Sequence, residues 1–149
     1  MHACRRFLAL NSGERWVAGE AVALLLFVRA TLSTLSFHTL RTLLKWYSSR
    51  NDGRHRRSSD ATAQRIARIV TGVATRLPIG TTCLVEALVA ETMLRRRGYG
   101  ARLRLGVQRP DEGPSALAAH AWVECEGAVL IGELDGLRDY AVLSVSRAE

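Results

Sequence analysis

The hydrophobic period of this chain changes once, at Ala101, from the helical value of about 3.6 residues to the strand value of about 2. Four helices are predicted before the change: Ser12 to about Arg29, Leu35–Tyr47, Ser59 to Leu77, and one that opens at Thr81–Thr82–Cys83. Four strands are predicted after it: 101–108, 118–126, 128–132 and 140–145. Helices followed by consecutive strands that pair antiparallel predict an α+β fold.

Residue types at the segment ends mark where the later helices start and stop. Pro78 and Gly80 are expected to stop the third helix. The fourth is expected to end at Arg95–Arg97, where positive charge meets the negative end of the helix dipole, and Gly98 is its C-cap. Glu126–Gly127 is the expected turn between the second and third strands.

Length and charge predict a single domain with a basic surface. The 149 residues suffice for one hydrophobic core, so we expect a single domain. Within it we predict a helical hairpin (1–47), a basic loop without apolar residues (48–59) and a catalytic core (60–149). The formal net charge of +7 suggests an acidic partner, such as a peptide, a nucleic acid or a membrane surface.

Several classes of protein are excluded by the sequence. The longest apolar run, Ala21–Val28, is too short to span a bilayer, and the first residues lack a secretory signal, so we expect a cytoplasmic protein. The three cysteines lie far apart, which argues against a disulfide framework and a structural zinc site. No glycine-rich phosphate loop follows a strand, and no cofactor or metal is expected.

Cys83 is the first candidate for a catalytic residue. It falls in the first turn of a predicted helix, where backbone N–H groups and the helix dipole favour the thiolate, the nucleophilic form of cysteine. A cysteine that merely fills the core is the alternative.

His120 is the second candidate, since a helix-start cysteine and a strand histidine are the parts of a Cys–His nucleophilic pair. Strand alternation puts His120 on one face with Trp122 and Glu124, and Cys125 on the other. If Glu126–Gly127 form a regular two-residue turn, His120 stands opposite Glu133, which could orient the imidazole.

Asp135 is the alternative third residue if a bulge shifts the strand register, and both Glu133 and Asp135 could instead be ordinary surface carboxylates. Glu124, four residues along the same strand from His120, is too far away to take that role.

Two stretches of the chain are informative together: TTCLVEALVAETMLRRRGYGARLRLGV, beginning at Thr81, and AHAWVECEG, beginning at Ala119. In combination they resemble the transglutaminase-like cysteine peptidases of lasso-peptide biosynthesis. The segment WVAGEAVALLLFVRATL also resembles the helical start of those proteins. The resemblance implies a papain-like or transglutaminase-like fold and a Cys, His and acid triad that removes the leader from a lasso precursor. Cys83 matches the nucleophile and His120 the base, whereas Glu133 or Asp135 stands near the place of the family's usual aspartate.

The resemblance also implies partners: a lasso precursor peptide, a separate cyclase that closes the ring and a leader-recognition protein. Residues 1–49 show no alternating strands of a recognition domain, so we expect the stand-alone form that needs this protein in trans.

Two other functions stay open. The same triad could transfer the acyl group to an amine, and the arginines of 50–57, 95–97, 102 and 104 could instead form a non-catalytic module for an acidic peptide or nucleic acid. Nucleic acid is disfavoured because only nine residues of the chain are aromatic, too few for a stacking platform along these arginines. Positive charge is the only feature of the basic loop that favours contact with a membrane surface.

Overall fold

The computed structural model describes residues 12–49, 60–108 and 118–143. Four helices precede a four-stranded antiparallel sheet, which confirms the α+β prediction. The helices are α1 (Ser12–Leu32), α2 (Phe37–Ser49), α3 (Asp60–Ala74) and α4 (Cys83–Arg96). The strands are β1 (Arg102–Gln108), β2 (Ala118–Cys125), β3 (Ala128–Ile131) and β4 (Ala141–Leu143), and a 3₁₀ turn, Leu137–Asp139, precedes β4.

The boundaries of the first three helices differ from the prediction, and α3 ends at Ala74, three residues before the predicted Leu77. α1 continues three residues past Arg29 because Thr31 is buried against the core and its hydroxyl bonds to the carbonyl of Phe27. α2 includes Ser48 and Ser49, whose hydroxyls donate to the Lys45 carbonyl at 2.9 and 2.8 Å. The predicted loop is therefore wrong for Ser48 and Ser49, and its residues 50–59, with the predicted cap Ser59, lie outside the described residues.

The central element of the fold is α4, which packs against the other three helices and against β2. Nearly every residue from Val85 to Leu94 is buried, as expected for a helix covered on all sides. Glu91 is the buried charged residue of this run, and its carboxylate accepts a hydrogen bond from the backbone N–H of Leu103 at 3.2 Å. This bond ties the middle of α4 to the start of β1.

The sheet has the strand order β3-β2-β1-β4, so β1 and β2 are its centre. β2 runs opposite to β1 with Gly106 beside His120. Its residues Ala121, Val123 and Cys125 belong to the core that α4 shares with the sheet, which confirms the predicted alternation. The other face of β2 holds His120, Trp122 and Glu124, and we call it the outer face of the sheet.

None of the helices in the three described ranges is long and apolar enough to cross a membrane.

Candidate active site

Two threonines fix the start of α4. Thr82 has an extended backbone (φ −105°, ψ 159°) and its hydroxyl accepts a hydrogen bond from the backbone N–H of Val85 at 3.4 Å, so it is the N-cap. Thr81 donates to the carboxylate of Glu86 at 3.1 Å and, across the preceding turn, to the carbonyl of Ala74 at 3.5 Å. The turn between α3 and α4 is thereby held at both ends.

Cys83 is the first residue of α4, as predicted from the sequence. Its side chain is partly exposed and packs at the margin of the core. The backbone N–H groups of a first helical turn have no partner within the helix, so they present positive dipole ends beside the thiol. Of the three cysteines, Cys83 therefore combines access to solvent with a helix start, whereas Cys125 is buried and Cys4 lies outside the described residues.

His120 lies on the outer face of the sheet, between aromatic rings. Its ring is stacked near that of Trp122, with centroids 6.2 Å apart and an interplanar angle of 14°, and the tilted ring of Tyr140 lies 5.9 Å away. Nε2 of His120 is 2.8 Å from the carbonyl oxygen of Gly132. Three contacts therefore fix the position of the imidazole.

The partner of Nε2 determines which nitrogen of neutral His120 is the base. A carbonyl oxygen only accepts hydrogen bonds, so Nε2 carries the proton and donates to Gly132. In the neutral ring Nδ1 then has the free lone pair. The arrangement leaves Nδ1 able to take a proton from a thiol or a water molecule.

Two glycines make room for the aromatic rings on the outer face. A Cβ at Gly106 would lie 2.8 Å from the Trp122 ring and 2.9 Å from Cβ of Tyr140. A Cβ at Gly132 would lie 2.7 Å from the carbonyl oxygen of Ala121, and the φ of Gly132 is +80°. Only glycine allows the chain to pass this close to Trp122 while presenting its carbonyl to His120.

The predicted ladder from His120 to Glu133 is wrong in its register. Glu126 and Gly127 do form the two-residue turn, with φ values of 52° and 87°, and Cys125 pairs with Ala128 as expected. Glu124 still pairs with Val129, but a bulge between Glu124 and Val123 then shifts the pairing, so that Val123 is opposite Ile131, and β3 ends there. A two-residue turn fixes the register only at its own end of a hairpin, and the bulge changes it beyond.

Glu133 and Asp135 both follow β3, and both are exposed. Within the described ranges neither carboxylate is hydrogen-bonded to His120, whose Nε2 contacts the main chain instead. A bulge in this hairpin is the case in which the sequence predicts Asp135, instead of Glu133, as the residue that orients His120. The assignment of a carboxylate as the third member of a triad stays a prediction.

The hydrogen bond between Glu91 and Leu103 joins α4 to β1. From Glu91 back to Cys83 the helix rises about 12 Å. From Leu103 to Gly106, the Cα partner of His120, β1 advances about 10 Å. Because β1 begins shortly after α4 ends, we infer that β1 runs back along the helix, so that Cys83 and His120 lie toward the same end of the two elements.

The two side chains reach that end from different sides. Cys83 packs against the core, and the His120 ring lies on the outer face of β2. Among the described residues they share no hydrogen bond. Catalytic hydrogen bonds are often long in a free enzyme and shorten only when substrate binds.

Glu124 is the third polar residue of the outer face, and its carboxylate is hydrogen-bonded to two neighbouring side chains. It accepts hydrogen bonds from Trp122 Nε1 at 3.0 Å and from Arg104 Nε at 2.9 Å. Burial by itself would raise the pKa of Glu124, but the bonds from Trp122 and Arg104 and the charges of Arg104 and Arg102 together lower it below its ordinary value. An ionised Glu124 thus anchors the ring that stacks on His120, in agreement with its exclusion from the orienting role.

Sequence reasoning missed Tyr140 and the two glycines around His120. A glycine at an interior strand position, such as Gly106, indicates close approach of another group, and that pattern was available. Tyr140 was assigned to a strand and its contact with His120 depends on pairing between β1 and β4, which the sequence does not specify.

A family comparison agrees with this architecture. Residues 22–145, which include all of these residues, match the family model of the transglutaminase-like superfamily. The chain belongs to this superfamily. Searches of curated proteins and of solved structures gave no match.

Transglutaminase-like proteins generally have cysteine-protease or transglutaminase activity. Both reactions proceed through an acyl group on a cysteine, so Cys83 is the candidate nucleophile and His120 the candidate base. The described residues contain no group of three His, Cys, Asp or Glu side chains suited to hold a metal ion.

Proposed function

We propose that this chain is a cysteine peptidase that removes the leader from a lasso-peptide precursor through a thioester on Cys83. The observation that carries the proposal is the placement of Cys83 at the start of the central helix, in a fold that also holds a strand histidine whose Nδ1 is left to accept a proton. The superfamily match supports acyl chemistry on a cysteine. The motifs around Cys83 and His120, and their resemblance to lasso leader peptidases, support the choice of substrate.

The reaction consists of two acyl transfers. Nδ1 of His120 takes the thiol proton, and Sγ of Cys83 attacks the carbonyl carbon at the junction of leader and core. The C–N bond breaks, and His120 returns the proton to the leaving amine. Water then attacks the thioester and gives a proton to His120, and cleavage of the C–S bond restores the thiol. The backbone N–H of Cys83, at the first helical position, is the candidate oxyanion donor.

The group that orients His120 has two possible sources. The Gly132 carbonyl already accepts from Nε2, and a carboxylate of Glu133 or Asp135 would have to displace it. The 2.8 Å contact favours the carbonyl. A neutral carbonyl fixes the ring and its tautomer, although it stabilises the imidazolium less than a carboxylate would.

The proposed test combines product analysis with thiol alkylation. Wild type should release the free leader from a purified precursor, while Cys83→Ala and His120→Gln should not, as followed by mass spectrometry. The matched control is Cys125→Ala, which removes the buried cysteine of β2, the strand of His120. This variant should cleave the precursor at the wild-type rate. Cleavage by a folded Cys83→Ala protein at the wild-type rate would refute the nucleophile.

Alkylation of Cys83 by iodoacetamide reports on the pair without any substrate. In a Cys4→Ser background, the pH dependence of alkylation should differ between wild type and His120→Gln, because the imidazole exchanges a proton with the thiol. Identical profiles would show that His120 does not act on Cys83.

Acyl transfer to an amine is the second candidate, because the superfamily includes transglutaminase activity. The product distinguishes the two. Hydrolysis gives a leader ending in a carboxylate, whereas transfer gives an amide to an added primary amine. A dominant amide product would replace the peptidase assignment.

We also propose that a separate recognition protein delivers the precursor and that a cyclase accepts the released core. The purified chain should then cleave slowly alone and faster with the recognition protein, which supplies proximity and orientation. Equal rates with and without it would show that the chain recognises its substrate unaided.

A further inference from the structure

A cavity of about 690 Å³ lies at the opposite end of α4 from Cys83. The side chains that define it come from the first turns of α1, the end of α2 and the end of α4: Arg15, Trp16, Glu20, Tyr47, Arg96 and Arg97. The site around Cys83 and His120 uses none of these residues. We call this cavity the arginine pocket.

Two of the arginines are held in place by the protein itself. Arg97 Nη2 donates to Glu20 Oε2 at 2.6 Å, and Arg96 Nη1 is 3.3 Å from Glu20 Oε1. The Arg96 guanidinium also lies 4.4 Å from the centre of the Tyr47 ring and donates to the Tyr47 hydroxyl. One carboxylate thus faces three guanidinium groups when the exposed Arg15 is included, and the arginine pocket keeps an excess of positive charge.

An exposed tryptophan borders the same pocket. Trp16 is 83% exposed, although a tryptophan has more apolar surface to bury than other residues. It stands on the solvent-facing side of α1 together with Arg15, away from the buried positions Ala18, Ala21 and Leu25. Tryptophan and arginine are the residues enriched at binding hot spots, because they combine apolar area with directed hydrogen bonds.

We propose that the arginine pocket binds an acidic segment of the peptide substrate that also contains an apolar side chain. The carboxylates would pair with Arg15 and the preorganised Arg96 and Arg97, and the apolar side chain would cover Trp16. Charge complementarity selects this occupant: the pocket is positive, and its neutral lining is aromatic. The inference rests on the proposed function only in naming the bound peptide as the substrate.

The geometry also sets where the acidic segment lies in the substrate. From Cys83 to Arg96 the helix spans about 20 Å. An extended peptide covers that distance in about six residues. The acidic residues should therefore lie at least about six residues from the cleaved bond, and a short peptide around that bond should not reach the pocket.

The binding test uses the full chain with Cys83→Ala, so that no turnover is needed. The probe is a fluorescein-labelled synthetic peptide of alternating Glu and Leu, compared with the same peptide containing Gln for Glu, with fluorescence anisotropy as the readout. The Glu peptide should bind at least about tenfold more tightly, since each 1.4 kcal/mol corresponds to a factor of ten. Arg15→Gln and Trp16→Ala should each weaken binding about five- to tenfold.

Matched controls lie on the same helices. Arg29→Gln removes another exposed arginine of α1, and Trp46→Ala removes another exposed tryptophan outside the pocket lining; both should leave affinity unchanged. Equal affinity for the two peptides, or equal losses in control and pocket variants, would overturn the proposal. Competition by inorganic phosphate at millimolar concentration, abolished by Arg15→Gln, would identify an anion site of another kind and would overturn it as well.

Cleavage kinetics separate this proposal from the proposed function. In the active protein, Arg15→Gln should raise KM for a long acidic precursor at unchanged kcat, and should not affect a short peptide around the bond. Peptide binding without any cleavage would leave the pocket assigned and refute the peptidase. Cleavage of the long acidic precursor that is unaffected by Arg15→Gln and Trp16→Ala would support the peptidase and refute the arginine pocket as a substrate site.

Discussion

Replacing Gly132 with alanine tests the close approach that presents its carbonyl to His120. The new Cβ would lie 2.7 Å from the Ala121 carbonyl oxygen and 2.9 Å from Cβ of Trp122, both too short for a real contact. A positive φ costs a non-glycine residue about 1–2 kcal/mol. Forcing a methyl group against the main chain adds about 1–3 kcal/mol. We therefore expect a loss of about 2–5 kcal/mol in unfolding free energy.

Gly127→Ala is the matched control for this prediction. Gly127 has nearly the same φ, +87°, but a Cβ there would meet nothing within 4 Å. It should lose only the conformational part, about 1–2 kcal/mol. The difference between the two variants isolates the contact with the strand and should be about 1–3 kcal/mol, or roughly 3–10 °C in Tm.

The assay is urea unfolding followed by tryptophan fluorescence, with ¹⁵N spectra of the histidine ring as a second measurement. Wild type and Gly127→Ala should show the ring signals of a His120 whose Nε2 donates to the Gly132 carbonyl, whereas Gly132→Ala should shift these signals because the carbonyl moves. Equal unfolding free energies for the two variants, with unchanged ring signals, would refute the described approach of Gly132 to β2.

Three further predictions concern carboxylates. Glu133→Gln and Asp135→Asn should each retain most of the wild-type kcat if the Gly132 carbonyl orients His120; a large fall in kcat for one of them, with unchanged KM, would assign the role to that carboxylate. Because the pKa of Glu124 is lowered in the folded state, its contribution to stability is complete above its ordinary pKa and is lost as pH falls through the lowered value. Glu124→Gln should therefore flatten the dependence of the unfolding free energy on pH in the acid range. An unchanged dependence on pH would contradict this reasoning. Glu91→Ala should lower the unfolding free energy by about 3 kcal/mol or more, because it removes the acceptor of the Leu103 N–H and leaves the partly buried Arg41, 3.8 Å away, without its counter-charge. A loss below about 1 kcal/mol in urea unfolding would contradict this reasoning.

The sequence alone determined the order and type of the elements. Hydrophobic period is a local property, so the change from 3.6 to 2 at Ala101 predicted four helices and then four strands, as the structure has them. Cap chemistry is local as well. Thr82 and Gly98 set the ends of α4, and with them the position of Cys83 in its first turn.

Register and lateral neighbours required the tertiary structure, because they depend on residues distant in sequence. The turn at Glu126–Gly127 was predictable, but the bulge between Val123 and Glu124 changes the pairing of the rest of the hairpin. The same limit explains why the contact between Gly132 and His120 was not foreseen: it needs a left-handed glycine beside a neighbouring strand.

The arginines at the end of α4 show the same division. The sequence explained Arg95–Arg97 by the helix dipole, which is a local interaction. In the structure, Arg96 and Arg97 also bind Glu20 of α1, more than seventy positions earlier in the chain. Charge composition determined that the protein is basic, and only packing decided that part of this charge faces a cavity beside Trp16. Local spacing fixes what each segment is, whereas the meeting of segments fixes what their side chains can bind.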